Sequence, residues 1–325
     1  MYRNCITDVA GIHVGQVSDH QAQTGCTVIL CGDGAVCGVE VRGSAPGTRE
    51  TDLLEPHMLV DQVHGVFLGG GSAFGLAVGD GMMQYLEEKG IGFDVGVTKV
   101  PIVTGAVLFD LHMGSYQIRP DAGMGYEACR QASQQKISEG NYGAGTGATV
   151  GKVLGHEQAM KGGIGSASIT LDNGLVVGAI VAVNAFGDIR DWQSGKIFAG
   201  AREKETGELI DTCSYLKQHF QTNLAFKRDN TTIGAIATNA KLSKAECKKL
   251  AQMSMNGLVK VISPFGSTLD GDTVFALSKG THSADLNLLG IMAAEAMAIA
   301  VNRGIQGAQS TGGIPSTRDY LGAIE

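Results

Sequence analysis

The stretch that decides the arrangement of this chain is Thr231-Thr232-Ile233-Gly234-Ala235-Ile236-Ala237-Thr238-Asn239. It is short, apolar and rich in β-branched residues, which is typical of a buried strand. The polar sequence from Arg202 to Arg228 ends just before it, and we expect surface helix and loop there. After it, Ser243 and Glu246 form a capping-box pattern that predicts a helix start, and Asn256-Gly257 predicts its end.

Further strands and helices are expected on both sides of this stretch. Asp172-Asn173-Gly174 joins two apolar runs, and its Asn-Gly pair predicts an antiparallel hairpin. The expected strands are Thr27 to Leu30, Ala35 to Val41, His64 to Leu68, Ile91 to Val97, Ile164 to Leu171, Leu175 to Val183 and Thr273 to Leu277. The expected helices are Ser72 to Lys89, Asp121 to Lys136 and Ala284 to Arg303. Without a repeat or a linker between two cores, we expect a single domain over 1–325, with sheets packed on each other and helices outside.

Composition excludes several classes of protein. The 325 residues include 25 Lys+Arg and 32 Asp+Glu, a net charge of -7 that argues against nucleic-acid binding. Glycine is abundant, at 48 residues, but has no G-X-Y period, which excludes collagen. The longest apolar run, Leu288 to Val301, carries Glu295 and is shorter than the ~20 residues of a membrane span, so a buried helix and no membrane partner are expected.

The cysteines and the N-terminal sequence bear on the compartment. The seven cysteines form neither a C-x-x-C pair nor an even disulfide framework. The first residues, from Met1 to Asp8, lack the apolar region of a signal peptide. We therefore expect a reduced, cytoplasmic protein.

The junction Asn230-Thr231 is the first candidate for chemistry. An N-terminal Thr can use its own α-amine, with a reference pKa of about 7.7–8.0, as the general base toward its own hydroxyl. Such a nucleophile arises only if the preceding peptide bond is cut, here by attack of the Thr231 hydroxyl on the carbonyl of Asn230. The alternative is that Asn-Thr-Thr merely ends a loop and begins a strand.

Asp270-Gly271-Asp272 is the second candidate. In an extended segment the carboxylates at i and i+2 share one face, where two of them can hold a Thr ammonium and hydroxyl in line and raise each other's pKa. An ordinary turn is the competing interpretation. A calcium loop is excluded because no ligand series continues to a Glu at position twelve.

Three other motifs fail on their spacing. Gly145 to Val153 resembles a phosphate loop, but no Ser or Thr follows Lys152. Gly70 to Gly75 misses the G-x-S-x-G pattern by one position and is better explained as a strand-to-helix turn. The eight histidines form no H-E-x-x-H motif and no cluster with carboxylates, so no metal site is expected.

Taken together, separated segments resemble the P1/DmpA-type peptidase family, which includes β-aminopeptidases, L-aminopeptidase/D-esterases and nylon-oligomer hydrolases. The resemblance covers nearly the whole chain. The segments that carry it are Ile6-Thr7-Asp8-Val9-Ala10-Gly11-Ile12-His13-Val14-Gly15, Thr24-Gly25-Cys26-Thr27-Val28, Gly43-Ser44-Ala45-Pro46-Gly47-Thr48-Arg49-Glu50-Thr51, Gly69-Gly70-Gly71-Ser72-Ala73-Phe74-Gly75-Leu76 and Asn230 through Ala240.

The resemblance implies an α+β fold, a four-layered αββα sandwich of the N-terminal-nucleophile type. It also implies self-cleavage into an α chain of residues 1–230 and a β chain of residues 231–325, which assemble as a homo-oligomer, commonly a tetramer of α/β heterodimers. The substrate would be a small amide or peptide, and neither a metal nor an organic cofactor is implied.

The site residues are carried over in the same way. The resemblance implies Thr231 as nucleophile, Asp270 and Asp272 as its positioning carboxylates, and Asn184 with Lys152 as polarising groups on the scissile carbonyl. A tyrosine often found near the site in this family has no clear match; Phe109 stands at about the expected place, and Tyr142 lies elsewhere in the sequence.

Three functions remain open at this point, beside the alternative of a non-catalytic binding protein with an uncut chain. Thr231 with Asp270 and Asp272 is similar to the nylon-oligomer hydrolase branch and favours a linear-amide hydrolase. An aminopeptidase on small or β-amino-acid N-termini is the second reading, although that branch typically cuts before a Ser. The third is an acyltransferase like ornithine acetyltransferase, which would pass its acyl group to an amine instead of water.

Overall fold

The computed structural model describes residues 2–219 and 230–322. Its strands are β1 (His13–Asp19), β2 (Thr24–Val41), β3 (Gly47–Arg49), β4 (Gln62–Gly69), β5 (Phe93–Asp94), β6 (Lys99–Val100), β7 (Val103–Val107), β8 (Thr149–Val150), β9 (Met160–Lys161), β10 (Gly163–Thr170), β11 (Val176–Asn184), β12 (Asp188–Arg190), β13 (Ile197–Ala199), β14 (Thr231–Ala240), β15 (Ile262–Ser263) and β16 (Thr273–His282). The α-helices are α1 (Val78–Glu88), α2 (Ala122–Gln131), α3 (Thr212–Gln218), α4 (Lys244–Val261), α5 (Leu286–Gln306) and α6 (Thr317–Gly322).

Among the described residues the main sheet has nine strands, and β14 lies in its interior. The strand order is β10-β11-β14-β16-β2-β4-β7-β3, with β1 paired to β2 outside this path. β14 pairs antiparallel with β11 and parallel with β16. The apolar stretch that begins at Thr231 is therefore the buried strand that its composition predicts.

Strand β2 passes through both halves of this sheet. Its first part pairs with β1 and β4, and its last six residues pair with β16. The register with β4 shifts between Leu30 and Ala35, where Gly32 and Gly34 have φ values of 61° and 129°. Such left-handed backbone favours glycine, so this irregularity lets one strand change direction.

In the part of the chain that the structure describes, three apolar clusters define the layers. Alternate residues of β11 show the pattern, because Val181 lies in a cluster with α4 and α5, whereas Ile180 lies in a central cluster with residues of β2 and β4. On the other side, Val28 and Phe67 join residues of α1 and α2 in a third cluster. Three interfaces separate four layers, so the fold is the predicted α+β, four-layered αββα sandwich.

The predicted hairpin is confirmed, and one predicted helix end is wrong. β10 and β11 pair antiparallel from Thr170 and Val176, on either side of Asn173-Gly174. α4 does not stop at Gly257 but continues to Val261. Gly257 instead faces α5, where an added Cβ would lie 2.0 Å from the carbonyl oxygen of Ala294. This glycine therefore allows two helices to approach, which the sequence alone does not distinguish from a helix stop.

Other boundaries also differ from the sequence prediction. Within Ile91 to Val97 only Phe93–Asp94 is a strand, in a short hairpin with β6. The helix expected from Ser72 begins as a 3-10 helix, Ser72–Ala77. Of the polar segment from Arg202 to Arg228, the part from 212 to 218 is helix α3, and residues 220–228 lie outside the described residues.

Helix α5 is, within the described ranges, the one helix long and apolar enough to cross a membrane. Its most apolar 18-residue window has a mean hydropathy of 1.4, but 67% of that window is buried. It packs into the cluster shared by α4 and β11, so it is the buried helix that the sequence predicts.

Candidate active site

The sheet register places Asn230-Thr231-Thr232 between two neighbouring segments. On one side, Thr231 is the register partner of Asn184, the last residue of β11. On the other side, a parallel bridge joins Asn230 to Asp270, and the pairing continues from Ile233 to Thr273. Asp270-Gly271-Asp272 therefore lies directly beside Asn230-Thr231-Thr232, although forty positions separate them.

The Asn230 carbonyl oxygen accepts two hydrogen bonds at this junction. The Thr231 hydroxyl donates one, and the backbone N–H of Gly271 donates the other at 3.2 Å. Thr231 is buried, with 5% of its surface exposed. The nucleophile candidate and a backbone donor thus meet at one carbonyl group.

Gly271 lets neighbouring groups come close to its backbone, in addition to donating a hydrogen bond. A Cβ added there would lie 2.5 Å from the carbonyl oxygen of Ala45 and 3.0 Å from the Thr231 hydroxyl oxygen. The loop before β3 is held against the same segment, because the Ala45 N–H donates to the Asp270 carbonyl at 3.0 Å. A side chain at position 271 would have to displace one of these groups.

The two aspartates are buried and held by different partners. Asp272 accepts from the backbone N–H of Thr232 at 2.6 Å and from that of Gly266 at 3.1 Å. Asp270 accepts from the hydroxyl and backbone N–H of Ser267. Within the described ranges neither carboxylate hydrogen-bonds the Thr231 hydroxyl itself.

Burial dominates the electrostatics of this pair. It raises the pKa of Asp272 to about 8, and the neighbouring Asp270 carboxylate adds to the rise. Burial also raises the pKa of Asp270, while hydrogen bonds from Ser267 and the charge of Lys152 oppose that rise. Two buried carboxylates next to each other favour a nearby cation, since desolvated like charges destabilise one another.

Asn184 and Lys152 form one unit next to Thr231. The Lys152 ammonium donates to the Asn184 side-chain oxygen at 2.8 Å and to its backbone carbonyl at 3.0 Å. The same side-chain oxygen accepts from the backbone N–H of Thr149 at 3.0 Å, and the Asn184 Nδ2 donates to the Phe109 carbonyl at 2.9 Å. All five residues predicted from the sequence resemblance, with Asn230, are therefore brought to one region.

A small pocket adjoins Lys152, and Phe109, His112, Met113, Thr149 and His156 contribute to its lining. The Phe109 and His112 rings lie 5.2 Å apart, and the His112 and His156 rings 5.7 Å apart. The contribution of Phe109 to the site is its backbone carbonyl oxygen, which accepts the hydrogen bond from Asn184. Tyr142 lies elsewhere, with 40% of its surface exposed and its ring near His20.

Sequence reasoning missed three contributors. The Gly271 N–H, the Ser267 hydroxyl and the Thr149 N–H each hold a predicted residue in place. A glycine between two acids hints at close approach, but its donor role depends on strand pairing. Over the described ranges no group of three or more His, Cys, Asp or Glu residues could hold a metal ion.

Comparison with known proteins connects this geometry to a family. The family model Peptidase family S58 matches residues 4–318. An uncharacterized aminopeptidase of Mycobacterium tuberculosis is 41% identical over 350 residues, covering 98% of each chain. The 6-aminohexanoate-oligomer endohydrolase of a Kocuria species is 30% identical over 305 residues, covering 89% of this chain and 82% of that protein.

Solved structures share the fold. The L-aminopeptidase D-Ala-esterase/amidase of Ochrobactrum anthropi, described as a variant of the N-terminal-nucleophile hydrolase fold, matches with a TM-score of 0.73 at 17% identity, over 99% of this chain and 93% of that one. The β-aminopeptidase of a Burkholderia species matches with a TM-score of 0.71 at 21% identity, over 99% and 94%. With sequence, fold and family model in agreement, the chain belongs to peptidase family S58, the DmpA family, and is a hydrolase of amide or peptide bonds.

Proposed function

We propose that this hydrolase uses Thr231 as an N-terminal nucleophile, which the protein makes by cutting its own Asn230–Thr231 bond. The observation that carries the proposal is the Asn230 carbonyl oxygen, which accepts from both the Thr231 hydroxyl and the Gly271 N–H. The attacking group and a donor for the developing negative charge are therefore already on the scissile carbonyl.

In self-cleavage, the Thr231 oxygen bonds to the Asn230 carbonyl carbon, and the Gly271 N–H stabilises the resulting oxyanion. The bond from this carbon to the Thr231 nitrogen then breaks, and the nitrogen takes up the proton that the hydroxyl lost. Water hydrolyses the ester, which leaves a carboxylate on Asn230 and a free hydroxyl and amine on Thr231. The products are chains 1–230 and 231–325.

In turnover, the Thr231 amine takes the hydroxyl proton while the oxygen attacks the substrate carbonyl. Asn184 and Lys152 donate to the substrate oxyanion, a contribution of about 3–4 kcal/mol for a well-placed donor. The amine then protonates the leaving nitrogen, and water hydrolyses the acyl ester. Asp270 and Asp272 position the threonine and stabilise its ammonium form, because that cation offsets the repulsion between two buried carboxylates.

Intact-mass analysis tests the cleavage. The 33.7 kDa chain should divide into pieces of about 24 and 10 kDa, in proportion to their lengths. The Thr231→Ala variant should stay uncut and inactive, because it lacks the hydroxyl that attacks. Thr232→Ala is the matched control and should still cut, because the bond from position 232 to Asp272 uses the backbone N–H. An uncut Thr231→Ala protein that hydrolyses amides would refute the proposal.

For the substrate, we propose a small linear amide, as for the 6-aminohexanoate-oligomer endohydrolase relatives. The second candidate is an aminopeptidase, which is favoured by the relatives of 41% identity that carry that name. An aminopeptidase must bind the substrate ammonium, whereas a linear-amide hydrolase need not. Comparing rates on free-amine and amino-blocked amides separates them, and a rate that depends on an added amine acceptor would indicate acyl transfer instead.

We also propose that the cut chains assemble as a homo-oligomer, a tetramer of α/β heterodimers. The β5–β6 hairpin supports this proposal, since it exposes several apolar side chains, with 94% of the Val97 surface and 47% of the Val95 surface accessible. Contiguous exposed apolar residues of this kind mark interaction surfaces. Sedimentation equilibrium gives the assembly mass, and a monomeric αβ unit at micromolar concentration would contradict the proposal.

A further inference from the structure

Two buried ionisable side chains near the site have no part in the proposed reaction. Lys161 has no exposed surface, and Asp110 has 4%. Burial lowers the pKa of Lys161 to about 7 and raises that of Asp110, and each charge partly offsets the shift of the other. Buried charges are costly, so their hydrogen-bond partners indicate what they hold in place.

A single peptide group is hydrogen-bonded to both the Lys161 ammonium and the Asn184 side chain. Its ammonium donates to the carbonyl of Ala148 at 2.7 Å and to that of Thr146 at 3.0 Å. The N–H of that same Ala148–Thr149 peptide donates to the Asn184 side-chain oxygen at 3.0 Å. A cation on the carbonyl end of a peptide polarises it and strengthens the N–H as a donor.

Asp110 fixes the opposite end of the same amide. The Asn184 Nδ2 donates to the carbonyl of Phe109, which belongs to the peptide that joins Phe109 to Asp110. The Asp110 carboxylate is itself held by the Gly71 N–H and the Thr24 hydroxyl, each at 2.7 Å. Both backbone partners of the Asn184 side chain therefore come from segments that a buried charge secures.

These contacts give the Asn184 amide one orientation. Its oxygen faces the Lys152 ammonium and both the N–H and the hydroxyl of Thr149, and its nitrogen faces the Phe109 carbonyl oxygen. If the oxygen and nitrogen of this amide exchanged places, its NH2 group would face the Lys152 and Thr149 donors, and its oxygen would face the Phe109 carbonyl oxygen. A substrate oxyanion needs a hydrogen-bond donor, and the Nδ2 group is the donor of this amide.

We propose that Lys161, supported by Asp110, is a positioning residue for Asn184 in amide hydrolysis. This inference rests on the proposed role of Asn184 as an oxyanion donor. Self-cleavage provides an internal reference, because there the Gly271 N–H lies on the Asn230 carbonyl. Loss of Lys161 should therefore slow turnover and leave processing intact.

The test compares Lys161→Met with Lys244→Met. Methionine keeps the bulk of lysine and removes its charge. Lys244 is the matched control, because it is also buried and its ammonium donates to three backbone carbonyls, those of Leu53, Met58 and Val60. On a small chromogenic anilide, we expect processed Lys161→Met enzyme to lose about 10- to 100-fold in kcat, the effect of a misplaced donor, with KM unchanged. Processed Lys244→Met enzyme should keep its kcat.

A double-mutant cycle with Asn184→Ala distinguishes positioning from general weakening. If Lys161 acts through Asn184, Lys161→Met should cost little further kcat once Asn184 is alanine. Additive losses, or a processed Lys161→Met enzyme with full kcat, would overturn the inference. Should Lys161→Met fail to fold, Asp110→Asn takes its place, with the same expected loss of kcat and the same refuting outcome.

The cycle also separates this inference from the proposed function. A large loss in Asn184→Ala beside full activity in Lys161→Met would reject only the role of Lys161. Full activity in Asn184→Ala would reject the oxyanion role itself and the inference with it. The Thr231 nucleophile is tested independently by Thr231→Ala.

Discussion

At the level of single residues, Gly271 combines two functions at the proposed scissile bond. Its N–H donates to the Asn230 carbonyl, and its lack of a side chain leaves room for the Thr231 hydroxyl and the Ala45 carbonyl. The two requirements conflict for any other residue, because a Cβ would push on the Ala45 carbonyl and the Thr231 hydroxyl, and moving away from them would draw the N–H off the Asn230 carbonyl.

Gly271→Ala should therefore block or strongly slow self-cleavage. The added methyl would lie 2.5 Å from the Ala45 oxygen and 3.0 Å from the Thr231 oxygen, so the hydroxyl, the loop or the Gly271 N–H must move. A displacement of about 1 Å at a reacting group can cost about 100-fold in rate. The measurement is a time course of the intact chain on a denaturing gel.

Gly322→Ala is the control, since an added Cβ there meets nothing within 4 Å. It should cut at the wild-type rate. If Gly271→Ala also cuts at that rate, the Gly271 N–H and the space around it are not needed for cleavage.

The sequence predicts which residues lie together at the candidate site, but it does not predict the hydrogen bonds that orient them. Thr231, Asp270 and Asp272 were predicted from residue chemistry together with family resemblance, and the parallel register explains their proximity. The orientation of Asn184 was not predictable, because it depends on Thr149 and Phe109, which lie far from it along the chain.

At the level of elements, the contact between α4 and α5 depends on backbone approach at a glycine. A Cβ on Gly257 would lie 2.0 Å from the carbonyl oxygen of Ala294, which cannot rotate away as a side chain would. The same position shows a limit of sequence reading, because a glycine inside a helix and a glycine that ends one look alike.

Gly257→Ala should destabilise the protein, although alanine has a higher helix propensity than glycine. Alanine gains about 1 kcal/mol in an exposed helix interior, but overpacking against backbone costs about 1–3 kcal/mol. Since the clash is with a fixed carbonyl, we expect a net loss of about 1–2 kcal/mol in the free energy of unfolding, measured in urea.

Gly290→Ala provides the comparison on the facing helix. The nearest atoms to its added Cβ are the end of the flexible Met253 side chain, at 2.0 Å and 2.7 Å. That side chain can change rotamer, so Gly290→Ala should cost less than Gly257→Ala. Equal losses would show that helix separation does not set the penalty.

Local patterns predicted some elements well for physical reasons. The Asn173-Gly174 turn and the Ser243–Glu246 capping box depend on residues that are close in sequence, and the structure contains both. The stretch from Ile91 to Val97 forms less strand than its composition predicts, because Val95 and Val97 are exposed on either side of Gly96, which has a positive φ. Apolar composition alone does not reveal whether a neighbouring strand is available.

For the whole molecule, the sheet joins the two chains that cleavage would create. β14 and β16 would belong to the later piece, and they lie side by side between β11 and β2 of the earlier piece, in the order β11-β14-β16-β2. Their side chains also share the central apolar cluster. Cutting before Thr231 removes one peptide bond and none of these pairings.

The cut pieces should therefore stay together in native buffer. We expect the fragments of about 24 and 10 kDa to co-elute in gel filtration and to separate only after denaturation, because a buried sheet and core hold them. Uncut Thr231→Ala protein should elute at the same volume. Dissociation of the small fragment without denaturant would contradict this arrangement of strands.

The place where β14 begins has a genetic consequence. Since the later piece of the proposed cleavage would begin directly with an interior strand, one reading frame could be divided into two at this threonine, with trimming of the initiating methionine leaving the proposed nucleophile first. The interior pairing would then guide assembly of two separate translation products, and a working enzyme would arise without any precursor.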